Sequence, residues 1–288
     1  MSRSPITTRT RRMLSFRHAA FTLVELVMVI AIAGVVAVMV GAVMSRPLQG
    51  FVDLSRRAEL VDLASGALNR MVRDIRMAVP NSVRVTGTGQ LELLRSPVSG
   101  RYRANLSGST RSNPPVCDAS PCTIQVLSPI SAQESNQIAG MNWMVIYNIG
   151  SSGAGNGIWP PLDNTSSVIT PKATFGYAGD NLTLTDAAIA GFGFRYASPQ
   201  HRFFLADAVV GYQCVNGRIV RKEFSELRDA AAYDYSDAAL LVDSVRFCTF
   251  RYQPGNAMRG GLFTMELVLE ATGERISLLQ QVHVDNAP

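Results

Sequence analysis

From Leu26 to Met44 the chain runs nineteen residues without a charged side chain. A helix of roughly 20 apolar residues is what crosses the hydrocarbon of a bilayer. In front of this run stand Arg3, Arg9, Arg11, Arg12 and Arg17, with no acidic residue before Phe21. Lys and Arg stay on the cytoplasmic side, so the flank orients the span and delivers everything after Met44 outside. One residue spoils the pattern. Glu25 sits at the start of the span, where a carboxylate costs up to about 2.5–3.5 kcal/mol, the figure for Asp at mid-membrane. A tail whose sole task is anchoring gains nothing from it.

Simpler readings of the same stretch fit less well. A secretory signal peptide is cut at small residues after its apolar core, whereas His18-Ala19-Ala20 precedes this one. A plain signal anchor leaves Glu25 without a role. A buried core helix does not account for arginines crowded on one flank.

The order of basic leader, small residue, Phe21-Thr22-Leu23-Val24-Glu25 and apolar helix resembles the N-terminus of type IV prepilins and pseudopilins. The resemblance implies that a membrane prepilin peptidase cuts between Ala20 and Phe21 and that the new Phe21 amine is N-methylated. Ala20 stands where the family usually has glycine, and Met13 would open a shorter leader. It also implies a docking role for Glu25: in a stack of helices the Phe21 amine of one subunit meets the Glu25 carboxylate of another, each neutralising a charge that is costly in an apolar core.

The formal charge of +5 is misleading as a guide to partners. The five leader arginines account for all of it, and the processed chain is neutral, which argues against nucleic acid as the partner. Charge is nevertheless uneven. Residues 69–111 hold eight arginines against Asp74 and Glu92, a bias that suits a polyanion, the acidic end of a neighbouring subunit, or a solvated face.

Four cysteines in an exported chain favour disulfides. Cys117 and Cys122 bracket a short turn-rich loop that a local bridge would staple, leaving Cys214 to pair with Cys248. Four cysteines permit three connectivities, and a zinc site is the other use of such a set, though paired C-x-x-C knuckles are missing.

Along the chain the expected fold is α+β: a long N-terminal helix, membrane-spanning in its first half, packed on an antiparallel β-sheet. Residues 1–20 are the leader, 21–44 the transmembrane or filament-core helix, 45–80 its amphipathic continuation and 81–288 a β-rich globular domain. The helix is predicted over about 22–78, with a bend near Pro47 and an apolar stripe of Leu54, Ala58, Val61, Ser65, Leu68, Val72 and Ile75 at helical spacing. Beyond Pro80 the period changes to two. Strands are predicted at Val83–Thr86, Leu91–Leu94, Thr123–Leu127, Trp143–Asn148, Val242–Tyr252, Leu262–Glu270 and Ile276–Val284, with loops at 107–121 and 150–167. The strongest hairpin is Val209–Val215 with Arg218–Lys222 around Asn216-Gly217, the pair a type I′ turn prefers.

No catalytic set emerges, and the chain reads as no enzyme and as needing no cofactor. The histidines are His18, His201 and His283, none in a hydrolase-like motif. Gly150–Gly157 lacks the Lys-Ser/Thr ending of a phosphate loop and runs into Trp159-Pro160-Pro161, so it reads as a surface loop. Asp234, Asp237 and Asp243 are oxygen ligands of the type calcium takes, but without the spacing of a known loop; no metal site is assigned.

Later segments resemble minor pilins of the mannose-sensitive haemagglutinin (MSHA) pilus system: Gly50–Asp62, Ser99–Arg103, Ser198–Phe204 and Val210–Cys214 with the return strand Gly217–Arg221. This implies a minor subunit that primes pilus assembly near the tip. Its implied partners are other minor pilins, the major pilin, the prepilin peptidase, the inner-membrane assembly platform and the membrane itself. The implied path runs from a single-pass inner-membrane protein with a periplasmic domain to the pilus filament. Alternatives are a J-like type II secretion pseudopilin, a tip adhesin or DNA-capturing minor pilin, or an anchored binding domain without a filament.

Overall fold

The computed structural model describes residues 21–104, 113–150, 153–160, 162–255 and 259–284, with only the backbone described at 45–49. The leader, Ala20 included, lies outside these residues. The first element, α1, is assigned without interruption over Leu23–Arg76, and the chain divides inside it, between Ser55 and Arg56, into two compact units.

In the first unit every described side chain from Phe21 to Met44 is exposed. Exposed valine, isoleucine and leucine on all sides of a helix suit lipid or partner helices rather than water.

In the second unit α1 buries Leu60, Ala64, Ala67, Leu68, Met71, Val72 and Ile75. The expected stripe is right at Leu68, Val72 and Ile75, half-buried at Ser65 and wrong before that. Leu54 is exposed, as are Ala58 and Val61, and Leu60 and Ala64 point inward instead. Ala64 and Ala67 explain the difference. Small side chains let a backbone sit close to what it covers, whereas a reading weighted by side-chain size follows the larger Val61. The helix ends at Arg76 and passes into turns: the Met77 N–H donates to the carbonyls of Arg73 and Asp74, and that of Ala78 to Ile75.

Two sheets share the core beneath this helix. One has five antiparallel strands in the order Arg84–Thr86, Gln90–Arg95, Ala208–Val215, Arg218–Phe224, Ala239–Val242. The other is a meander of Val245–Gln253, Gly261–Ala271 and Glu274–Val284. Leu91, Leu93, Val210, Tyr212 and Ile219 from the first, and Phe250, Phe263, Met265, Leu267 and Leu269 from the second, form one cluster with the helix residues. Each such side chain, fully buried, contributes about 1.5–3 kcal/mol. The turn at Asn216-Gly217 has positive φ at both residues, 50° and 72°, with Val215 opposite Arg218, as a two-residue I′ hairpin requires.

The expected strand Val242–Tyr252 is two strands. Ser244, at φ 57°, breaks the run, so that Ala239–Val242 closes the five-stranded sheet and Val245–Gln253 opens the meander. Between Arg95 and Ala208 the chain builds three further three-stranded sheets around two more apolar clusters. One pairing departs from the antiparallel expectation: Ser166–Ser167 lies parallel to Phe192–Phe194. The fold is α+β, an N-terminal apolar helix followed by a domain rich in antiparallel sheet.

Candidate assembly segment

Phe21 and Thr22 precede the first helical residue, Leu23. The Thr22 hydroxyl accepts the Glu25 backbone N–H at 3.2 Å, and the Thr22 carbonyl accepts that of Leu26 at 3.1 Å. Thr22 is therefore the N-cap. A hydroxyl there satisfies one of the orphan N–H groups of the first turn. Glu25 occupies the third helical position, the place of the acid in a capping box, and its charge faces the positive end of the helix dipole. This local role of Thr22 and Glu25 lies beyond the sequence expectation above, although Thr-x-x-Glu ahead of an apolar run is its signal.

Beyond that first turn the helix is apolar to Met44. The stretch Leu23–Met44 has a mean hydropathy of 2.9 and none of it is buried within the chain. Phe21 is 76% exposed. Glu25 thus stands at the head of an uncovered apolar rod, four residues after Phe21, whose amine cleavage would free.

The remaining residues singled out by sequence fall elsewhere. Cys117 is bonded to Cys122 and Cys214 to Cys248, one of the three possible pairings, and no described cysteine is free. The second bridge ties the middle strand of the five-stranded sheet to the first strand of the meander. Asp234 accepts from the backbone N–H and hydroxyl of Ser236, and Asp237 pairs with Lys222. Among the described residues no three His, Cys, Asp or Glu side chains gather where a metal could be held. His201 lies stacked on Tyr102 at 5.2 Å, with Nε2 3.3 Å from the Asn113 amide. In the glycine-rich loop, Asn156 Oδ1 accepts from Arg195 Nη1 and the Tyr196 hydroxyl, and Val168 N–H donates to the Gly155 carbonyl. Among the described residues no helix follows it before the strand Ser166–Ser167.

A chain with one exposed, uniformly apolar N-terminal helix, a single acid in its first turn and a disulfide-bonded α+β domain behind it has the make-up of a membrane-anchored, single-pass pilin-like protein. Residues 15–41 match the family model of the prokaryotic N-terminal methylation motif. The match supports a type IV pilin-like or pseudopilin-like chain, and such a motif implies processing by prepilin peptidase and association with pilus components. No curated protein and no solved structure matches the chain.

Proposed function

We propose that this chain is a minor pilin that primes assembly of an MSHA-like type IV pilus as part of a tip or initiation complex, nearest in kind to the biogenesis component MshO. It is not an enzyme in this reading, and it works by being built into a filament. Prepilin peptidase cuts between Ala20 and Phe21 on the cytoplasmic side, and the Phe21 amine is methylated. The span holds the subunit in the inner membrane with residues 81–288 in the periplasm. The helix then leaves lipid for the filament core, where Glu25 receives the amine of a neighbour.

The observation that carries this reading is Glu25 itself, an exposed carboxylate leading a helix otherwise free of charge to Met44. Its capping position explains tolerance of an acid in the first turn, and pairing with an amine offsets the cost of keeping it in an apolar core.

The experiment is Glu25→Val in cells, read three ways. Membrane fractionation is expected to show normal insertion, mass spectrometry a mature chain beginning at N-methylated Phe21, and sheared pili a loss of the subunit. Full incorporation of the Val variant, or a mature chain starting anywhere else, overturns the proposal.

A further inference from the structure

The strand Glu274–Val284 closes the meander, and its far side is open. Among the described residues it pairs with Gly261–Ala271 alone, in one unbroken register in which Ala271 faces Glu274 across the two-residue turn. Residues of an antiparallel pair alternately exchange both backbone bonds and neither, and those flanking a two-residue turn exchange them. Glu274, Ile276, Leu278, Gln280, Val282 and Val284 therefore bond inward, to the meander. Arg275, Ser277, Leu279, Gln281 and His283 turn N–H and C=O outward. Those five are exposed, Leu279 to 63%, and among the described residues no backbone hydrogen bond reaches that side of the strand.

Folded proteins normally defend such an edge by keeping the strand short, by Pro or Lys, or by a bulge. The other edges beside this core are short or engaged. Arg84–Thr86 has three residues and Ala239–Val242 four, and on Val245–Gln253 the Phe250 N–H already donates to the Thr88 carbonyl at 2.8 Å. Glu274–Val284 has eleven residues and no bulge, and from Ile276 to Val284 it holds no Pro, Gly, Lys, Arg, Asp or Glu. Its core-facing side carries Ile276, Val282 and Val284 in the cluster shared with α1, and Leu278 packs against that cluster. Alternating outward donors and acceptors admit an extended backbone, and an edge without charge selects an uncharged occupant.

We infer that this edge is completed by β-strand addition: an extended, uncharged segment of a different subunit pairs along Ser277–His283 and sets apolar side chains beside Ile276, Leu278 and Val282. Main-chain bonds supply the affinity of such pairing, and alternate side chains its choice of partner. That the donor belongs to the same assembly rests on the proposed function; the strand addition itself does not. A second copy of this chain fits less well. The edge paired antiparallel with itself has a two-fold axis through the sheet, which reverses the part of α1 lying on the domain, whereas copies inserted by their basic flank share one orientation.

The test uses the full-length chain in neutral detergent, with a peptide copying residues 275–283 as the probe, since a free peptide has no orientation to keep. Antiparallel and centred on Leu279, it sets Ser277 opposite Gln281 and Leu278 opposite Gln280. N-methyl groups on its residues 278 and 280 leave the matching edge free and stop it stacking on itself; the control peptide carries them on 277, 279 and 281. The first peptide is expected to slow amide exchange at Ser277, Leu279 and Gln281 of the protein about tenfold when present at about ten times its Kd. Exchange at Leu278 and Gln280 should be slow throughout. Leu279→Pro removes an outward N–H that the meander does not use and should weaken binding about tenfold. Leu279→Lys, which leaves the backbone intact, should weaken it as well and serves if proline unfolds the strand. In cells, a photo-crosslinking amino acid in place of Gln281 should join the chain to a different subunit. Equal binding of both peptides, protection without the alternation, or affinity unmoved by Leu279→Lys overturns the strand addition. A crosslink to a second copy alone, or none, overturns the donor. A chain left uncut before Phe21 would sink the proposed function instead and leave the peptide result standing.

Discussion

The buried carboxylate of Asp74, on α1, accepts a 2.5 Å hydrogen bond from the hydroxyl of Tyr212 in the five-stranded sheet. Arg221 Nε donates to the same oxygen at 2.8 Å, and Arg221 continues to Glu223, which also binds Arg95. The other oxygen, Oδ1, is buried without a partner. One helix is thus fastened to the sheet it covers by a charged bond that leaves half of the carboxylate unserved.

Removing one member of such a pair strands a charge. Arg221→Met is expected to cost about 3–5 kcal/mol, the range for breaking a buried ion pair from one side. Asp74→Leu combined with Arg221→Met should recover most of that loss, because no charge is then left buried. Chemical unfolding of the detergent-solubilised protein measures both. Equal losses in the single and double variants would mean that packing, not charge, dominates at this contact.

The phenols at this contact and at Glu92 predict alkaline behaviour. Burial and then the bond to Asp74 push the Tyr212 hydroxyl well above its ordinary value, and burial and then Glu92 do the same to Tyr235. A group whose folded pKa is raised stabilises fully below its unfolded pKa, and the gain fades as pH climbs through the folded value. For tyrosine the unfolded value is about 10. These two residues should therefore contribute nothing to the slope of stability between pH 7 and about 9, and stability should fall above about pH 10. Tyr212→Phe with Tyr235→Phe should flatten that alkaline fall.

The two bridges close loops of different length, five residues apart for Cys117–Cys122 and 34 for Cys214–Cys248. Loop-closure entropy assigns about 2 kcal/mol to the first and between about 3 and 4 kcal/mol to the second. Replacing Cys214 and Cys248 by alanine should accordingly lower the melting temperature more than replacing Cys117 and Cys122. The reverse order would show that the 113–122 loop carries more of the fold than its length implies.

Thr22 gives a prediction at the assembly segment. Thr22→Ala removes the acceptor of the Glu25 N–H, a loss of about 1 kcal/mol for an N-cap. Amide exchange at Glu25 in micelles should speed up while exchange deep in the apolar run stays slow. Thr22→Ser should restore protection.

What could be read from residues alone followed the range of the forces involved. The uncharged run to Met44, the Asn216-Gly217 turn and the Cys117–Cys122 staple are local signals, and each reappears in the structure. Three of the seven stripe residues, Leu54, Ala58 and Val61, lie off the buried face, because Ala64 and Ala67 bury little area yet permit close approach. The segment from Asp163 to Ala206 is the least legible. Its strands are short, and partners such as Phe204 and Ser99 are about a hundred residues apart, so no local period records them. Thr22 hid in plain view, since a capping box and a prepilin motif use the same letters there.

Thr272 shows the same limit in a form that can be put to work. The meander turns at Thr272-Gly273, with Ala271 opposite Glu274 and φ of 51° and 87°, another two-residue turn with both central residues left-handed. Threonine is a poor choice at its first position, since a β-branched side chain in that region crowds the backbone at a cost of about 1–2 kcal/mol. That is why the pair does not read as a turn in the sequence, whereas Asn216-Gly217 does. Thr272 is exposed, so little is lost by replacing it. Thr272→Asn is expected to stabilise the protein by about 0.5–1 kcal/mol, asparagine being at ease in the left-handed region. Gly273→Ala should lose about 1 kcal/mol, from backbone conformation alone, because a Cβ there meets nothing within 4 Å. Thermal unfolding of the two variants measures the sign of each change. A loss for Asn would show that the threonine side chain contributes more to this corner than its strained backbone costs.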